Sequence, residues 1–295
     1  MVSRNAGDKL YKTLQSILSQ TYENYEVVWK DGCSSDGSVD RALDDSYTQK
    51  NTQKNTQKNT QKSGEEPVSL RHDPRIRLTV KPDQGIYDAM NQAVEEARGS
   101  FLIFLNCGDT FAGPQVLEKT AHAMAAARQN GHRSRIFYGN TYAERLKTLI
   151  SSAPQMDGFA CYRNIPCHQS CFYDRHLFDN KKYDTSLKIR ADYDHFLWCF
   201  YEGKAEPLYM DFTVASYEGG GVSESRENRN LDREEWQRCI HRYMKKSEIR
   251  HYRLLMALSL APLRRWIAET PALSGGYHRI KSLIYGRKNT ESADK

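Results

Sequence analysis

Five apolar residues in succession, Phe101 to Leu105, run straight into Asn106-Cys107-Gly108-Asp109, and no other stretch restricts the fold of this chain so tightly. A short unbroken apolar run bounded by turn residues is the pattern of a strand buried on both faces, as in parallel sheets covered by helices. It predicts that Asp109 sits at the carboxyl edge of a central strand. Ligands bind at that edge in open α/β sheets, where a carboxylate can hold a hard cation beside the phosphates of a nucleotide. An Asp in this place also suits capping of the next turn, and this stretch alone leaves both readings open.

A second strand end narrows the choice. Tyr25 to Trp29 is another apolar run, and it stops at Lys30-Asp31-Gly32-Cys33-Ser34-Ser35-Asp36-Gly37-Ser38. Small residues and acids in one turn let the backbone approach a ligand while a carboxylate accepts hydrogen bonds from a base or sugar. Between the two strand ends lies Asp83 to Ala93, DQGIYDAMNQA. Ile86, Met90, Ala93, Val94 and Ala97 fall at helical spacing, which predicts a turn feeding an amphipathic helix that packs on the sheet.

The order of these three segments resembles the inverting glycosyltransferases of family 2, and most closely their bacterial exopolysaccharide, O-antigen and colanic-acid-type branch. The turn Asp31 to Ser38 is similar to that family's Asp-Asp-Gly-Ser-Thr-Asp-Gly signature, with Gly32 and Cys33 in place of the second Asp and the Gly. Asn106-Cys107-Gly108-Asp109 is similar to a form of the Asp-x-Asp motif that keeps only the last acid. The likeness continues through His168-Gln169-Ser170, Ala191-Asp192-Tyr193-Asp194 and Gly219-Gly220-Gly221-Val222-Ser223. It implies an α/β chain with a GT-A fold: a Rossmann-like, mostly parallel central sheet with helices on both faces. That domain would occupy residues 1–225, and a basic helical extension residues 226–295. The resemblance expects the first strand in full, whereas Val2 to Asn5 reads as only its tail. Either the start codon lies upstream or part of a central strand is absent, which would weaken both core and nucleotide site.

Roles follow from the same resemblance. Asp109 would be the ligand of Mg²⁺ or Mn²⁺, with Asn106 beside it and diphosphate oxygens and waters completing the shell. Asp31 would meet the nucleobase and Asp83 would line the donor pocket, whereas Asp88 has the spacing of a residue that faces water. Asp192 holds the position of the general base that takes a proton from the acceptor hydroxyl. Ala191 stands before it where many relatives have Glu. If Ala191 to Tyr201 is helical, Asp192 and Asp194 lie about 200° apart and only one of them can face the cleft. His168 is assigned to the acceptor side, and Gly219-Gly220-Gly221 to a mobile turn near the donor. The partners implied are a nucleotide-sugar donor, UDP-linked by family frequency, and a saccharide or lipid-linked saccharide acceptor of a bacterial surface polysaccharide.

Composition agrees with a globular enzyme: 295 residues, 39% hydrophobic and 27% charged. No apolar run is long enough to span a bilayer and no signal peptide is recognisable, so the expected place is the cytoplasm. Seven scattered cysteines fit reduced thiols, and the irregular spacing of Cys161, Cys167, His168 and Cys171 does not suit a zinc site. Thr48 to Lys62 is a four-residue repeat without an apolar side chain, expected to be a disordered surface insertion.

The net charge of +6 is uneven, because 16 Lys and Arg against 8 Asp and Glu fall after residue 225. Asp232, Glu234 and Glu235 suit the first turn of a helix striped by Trp236, Cys239, Ile240 and Tyr243. Leu254 to Leu263, flanked by Arg250, Arg253, Arg264 and Arg265, has the character of a segment lying on the inner face of an anionic plasma membrane. A terminal helix closing over the core is the competing reading. Nucleic acid is not an expected partner, since the tail lacks a stacking motif. Two other functions compete with the transferase. A nucleotidyltransferase would want a basic, Gly-rich loop where only Arg4 and Lys9 stand, and a non-enzymatic membrane-peripheral module would rest on the tail alone.

Overall fold

The computed structural model describes residues 1–44, 73–128, 134–220 and 227–258. Two compact units divide the chain, Met1–Tyr243 and Met244–Lys295. The Thr48 to Lys62 repeat and most of the basic tail lie outside the described residues.

In the first unit, β1 (Val2–Ser3), β2 (Val27–Asp31) and β3 (Ile76–Val80) form a parallel three-stranded sheet in that order. Helix α1 (Lys9–Leu18) buries Leu10, Leu14 and Ile17 against it, the face its spacing predicts. Helix α2 (Ser38–Leu43) follows β2. Helix α3 (Ile86–Glu96) buries Ala89, Met90, Ala93 and Val94, while Ile86 at its first position stays exposed.

A second, mixed sheet has six strands. It comprises β4 (Phe101–Leu102), β5 (Thr110–Phe111), β6 (Arg135–Ala143), β7 (Thr148–Ile150), β8 (Cys171–Asp174) and β9 (Glu206–Tyr217), in the order β4-β8-β6-β9-β5 with β7 on β6. Only β6 and β9 pair parallel; β4, β5, β7 and β8 join antiparallel. Helices α4 (Val116–Arg128), α5 (Gly158–Arg163), α6 (Arg175–Asn180), α7 (Ala191–Tyr201) and α8 (Arg229–Tyr243) complete this unit. In the second unit the described residues form α9 (Lys246–Leu258), where Leu254 and Leu258 are exposed.

Two strand expectations change. The run Phe101 to Leu105 is a ladder strand only over its first two residues, and it pairs antiparallel with β8 rather than within a parallel sheet. Ile103 to Leu105 border a cavity of about 630 Å³, with Val27 and Val28 of β2 and Met1 among its other walls. Conversely, β2 outruns its apolar stretch and ends on Lys30 and Asp31, both fully buried. Each of these charges has internal partners, which is what lets a strand carry it into a core.

Helix α8 belongs to the first compact unit. Cys239 and Ile240 are buried, and the Trp236 ring meets Tyr162 edge-on at 5.2 Å, so the stripe seen in the sequence closes onto the core. No helix among the described residues is long and apolar enough to cross a membrane.

Candidate active site

Asp109 lies in the turn between β4 and β5 and is 5% exposed. Its Oδ1 accepts the Glu218 backbone N–H at 3.1 Å, and its Oδ2 lies 3.4 Å from Gln169 Nε2. Burial pushes its pKa up to about 6, against the pull of the Glu218 N–H and the His168 ring. The turn itself is fixed from α1, because Thr13 Oγ1 donates to the Asp109 carbonyl at 2.8 Å and accepts from the Gly108 N–H at 2.9 Å. Gly108 has φ +104°, a backbone conformation that favours glycine, and a Cβ there would also push the Glu218 carboxylate aside. Glu218 in turn pairs with Lys9 at 2.6 Å.

Asn106 begins the same turn. Its Nδ2 lies 3.1 Å from His168 Nε2, and its Oδ1 is buried with no hydrogen-bond partner. Unpaired buried oxygens are uncommon and call for an explanation. Together with the Asp109 carboxylate, this amide oxygen supplies hard donors of the kind Mg²⁺ and Mn²⁺ take. Among the described residues no group of three or more His, Cys, Asp or Glu could hold a metal, so diphosphate oxygens and water would have to complete the shell.

Asp192 stands in the first turn of α7 with its side chain 23% exposed. The single Tyr87 hydroxyl proton is shared between the Ile189 carbonyl at 2.7 Å and Asp192 Oδ1 at 3.2 Å, while His168 Nδ1 lies 3.5 Å from Oδ2. Burial works against ionisation of Asp192, but the hydrogen bond and charge of His168 outweigh it and hold the carboxyl below its ordinary range. Asp194 faces the other way, fully buried, with Lys181 at 2.7 Å and Arg242 of α8 at 2.7 Å. The two acids of this helix are thus separated: Asp192 keeps a partly exposed side chain, and Asp194 is enclosed in the core. The short helical turn His168–Ser170 links the two carboxylates, since His168 reaches Asp192 and its neighbour Gln169 reaches Asp109.

The donor-side acids of the first sheet are placed differently. Asp31 is fully buried, and its carboxylate accepts from Ser3 Oγ at 2.6 Å, Ser34 N at 2.7 Å and Ser34 Oγ at 2.7 Å. These bonds fix the turn after β2 and leave Asp31 no exposed oxygen for a nucleobase. Asp83 forms a buried ion pair with Lys30 and accepts the Gly85 N–H at 3.1 Å. A Cβ on Gly32 would come 2.6 Å from Asp83 Oδ2, which gives a steric reason for the missing second acid of the signature. Asp88 accepts from the Gln84 N–H and from Gln92 at the start of α3, an end-capping role. Gly219 and Gly220 both have positive φ, and Gly221 lies outside the described residues.

Replacing Lys30 with Met is expected to lower the free energy of unfolding by about 3 kcal/mol or more, because an unpaired buried Asp83 remains. Urea titration measures this, and a change below about 1 kcal/mol would show that the pair is dispensable.

Tyr87 and Glu218 are site residues that the sequence reading passed over. Tyr87 lies inside the quoted DQGIYDAMNQA segment, one helical residue beyond Ile86, and Glu218 directly precedes the glycine turn. Their positions beside motif residues were the available signal.

A buried carboxylate and a free amide oxygen share one turn, and a second held carboxylate lies beyond the His168–Ser170 turn on a mixed α/β scaffold. The model of glycosyl transferase family 2 matches residues 1–180, and the chain belongs to that family. Among relatives, a PGL/p-HBAD biosynthesis glycosyltransferase of Mycobacterium bovis (strain BCG / Pasteur 1173P2) is 32% identical over 222 residues, covering 74% of this chain and 75% of that protein. An uncharacterised glycosyltransferase of Mycobacterium tuberculosis is 29% identical over 230 residues, covering 77% and 76%. Solved structures share the GT-A fold. A mannosyltransferase from Pyrobaculum calidifontis in complex with GDP-Man and Mn²⁺ superimposes with TM-score 0.55 at 12% identity, over all of this chain and 86% of that one. Staphylococcus aureus TarS 1-349 in complex with UDP-GlcNAc gives 0.53 at 15% identity, over 76% of this chain and 59% of that one. The chain thus spans less than two thirds of that TarS structure.

Proposed function

We propose that the protein is an inverting glycosyltransferase that moves a sugar from a nucleoside-diphosphate sugar, UDP-linked, to a hydroxyl of a saccharide or lipid-linked saccharide of a bacterial surface polysaccharide. The observation that carries this reading is the connection of the two acids through His168 and Gln169, which puts a donor-side carboxylate and a candidate base in one hydrogen-bonded cluster. The nucleotide sugars bound in the two solved relatives support the donor class.

The chemistry follows from the side chains. Asp192, ionised at neutral pH, takes the proton of the acceptor hydroxyl as that oxygen forms its bond to the anomeric carbon. The bond from that carbon to the diphosphate oxygen breaks, and the diphosphate leaves with the electron pair. Tyr87 and His168 each hold one Asp192 oxygen, so the base keeps one orientation toward the cleft. No covalent intermediate forms, hence one base is sufficient and Ala191 before it is tolerated. Asp109 and Asn106 would hold the divalent cation, Mg²⁺ or Mn²⁺, which when bound supplies Lewis-acid stabilisation of the departing diphosphate. Asp83 works indirectly, bracing the donor-side turn through Lys30. Asp31 braces the neighbouring turn through Ser3 and Ser34.

Contact with the inner face of the plasma membrane is part of this reading. Leu146, Leu149 and Ile150 in and beside β7 are exposed together with Arg145 and Lys147, which suits a lipid-borne acceptor.

The test is incubation with UDP-glucose, UDP-GlcNAc, GDP-mannose and dTDP-rhamnose in Mn²⁺, following nucleoside diphosphate release. One donor is expected to be cleaved and to raise the melting temperature. Absence of both effects across the panel would overturn the proposal.

A further inference from the structure

Glu235 lies in the middle of α8, well beyond the family match at residues 1–180, and is 2% exposed. The helix begins at Arg229, so Glu235 falls beyond the first turn in which the sequence suggested it, and its carboxylate serves another segment. Oε1 accepts the Lys188 N–H at 2.8 Å, and Oε2 accepts the N–H groups of Ile189 and Arg190, each at 2.9 Å. These amides immediately precede α7, which carries Asp192 in its first turn, and Arg190, the residue flanking that helix, makes no side-chain cap of its own. Hydrogen bonds from backbone N–H to an ionised carboxylate are about twice as strong as neutral ones, and here three converge on one buried group.

The same segment is held at further points. The Ile189 carbonyl accepts the Tyr87 hydroxyl that also reaches Asp192 Oδ1. The Arg190 guanidinium binds Asp232, three residues before Glu235 on α8, with contacts of 2.6 and 2.9 Å. Residue 189 is therefore held at its N–H by Glu235 and at its carbonyl by the residue that orients the base. Loss of the carboxylate would leave three N–H groups without their acceptor and release the backbone two residues ahead of Asp192.

We propose that Glu235 is a positioning residue for the transfer reaction, fixing through the 188–190 backbone the place where Asp192 meets the acceptor hydroxyl; this rests on the reading of Asp192 as the base. Glu235 touches neither donor nor acceptor. Its effect belongs to turnover, since a misplacement of about 1 Å in a reacting group costs on the order of a hundredfold in rate.

The test uses the full chain with Glu235→Ala and the isosteric Glu235→Gln, alone and combined with Asp192→Asn. Turnover is followed with the donor cleaved fastest in the four-sugar panel, and amide hydrogen exchange is read at residues 188–190. The single variants are expected to lower kcat by about 10- to 100-fold with donor KM and Mn²⁺–UDP affinity within about twofold of the parent. Exchange protection should fall at Lys188, Ile189 and Arg190 while α1 and α3 keep theirs. In the Asp192→Asn background, loss of Glu235 should slow the reaction no further. If Glu235→Ala does not fold, Glu235→Gln carries the test, because it keeps the length but presents an amide to three donors. Unchanged kcat in a protein whose Asp192→Asn variant is inactive would overturn the positioning role alone. Equal losses of kcat and donor affinity, or a further loss on top of Asp192→Asn, would show a merely structural part. Full activity of Asp192→Asn would instead overturn the base assignment on which the inference rests.

Discussion

Asp109→Ala is expected to abolish the Mn²⁺-dependent increase in melting temperature produced by UDP and to lower kcat by about a thousandfold, the upper range for loss of a group that stabilises developing negative charge. The physical reason is the placement of this carboxylate. It is buried, it is held at Oδ1 by one backbone N–H, and its other oxygen has only the 3.4 Å approach of Gln169. Beside it the Asn106 amide oxygen has no partner at all. Two poorly satisfied oxygens in a buried turn are an arrangement that a hard cation completes. The fold itself should survive, because Thr13 bonds the Asp109 and Gly108 backbone and not the side chain. Thermal denaturation with and without UDP and Mn²⁺ makes the comparison. A variant that retains the nucleotide response would show that the diphosphate is held elsewhere.

The second large effect is expected at the other end of the cluster. Asp192→Asn should lower turnover by at least about a hundredfold, the low end of what a general base contributes. Donor affinity should change little, because Asp192 contacts Tyr87, His168 and the N–H of Tyr193 and makes no direct hydrogen bond to Asp109 or Asn106 among the described residues. Asn keeps the shape and can still accept from Tyr87, but it cannot take the acceptor proton. Steady-state kinetics with separate donor KM and kcat distinguish this from a binding defect. Retained turnover would remove Asp192 from the reaction.

Much of this arrangement was legible before any coordinates. The buried faces of α1 and α3 follow from Leu10, Leu14 and Ile17 and from Met90, Ala93 and Val94, because a helix that packs on a sheet must repeat its apolar side chains every three or four residues. The separation of Asp192 from Asp194 follows equally from helix geometry. What periodicity missed is polar. Strand β2 continues through Lys30 and Asp31 because Asp83, Ser3 and Ser34 satisfy them, and the two partners distant in sequence, Asp83 and Ser3, leave no local trace. For the same reason Asp31 read as a ligand for a base, although its oxygens fix the turn. Glu235 read as a complement to its own helix dipole and instead caps a segment 45 to 47 residues away. The run Phe101 to Leu105 misled in the opposite sense. Its hydrophobicity reflects burial at a sheet edge and at a cavity, not a five-residue ladder in a parallel sheet.

The division of labour between the two acids is best examined by calorimetric titration of UDP in Mn²⁺ into the parent chain, Asp109→Ala and Asp192→Asn side by side. Matching affinities for the parent and Asp192→Asn, with no measurable heat for Asp109→Ala, are the predicted result. Undiminished binding by Asp109→Ala, or its loss in Asp192→Asn, would contradict the assignment of leaving-group and proton-transfer roles to opposite ends of the His168–Gln169 link.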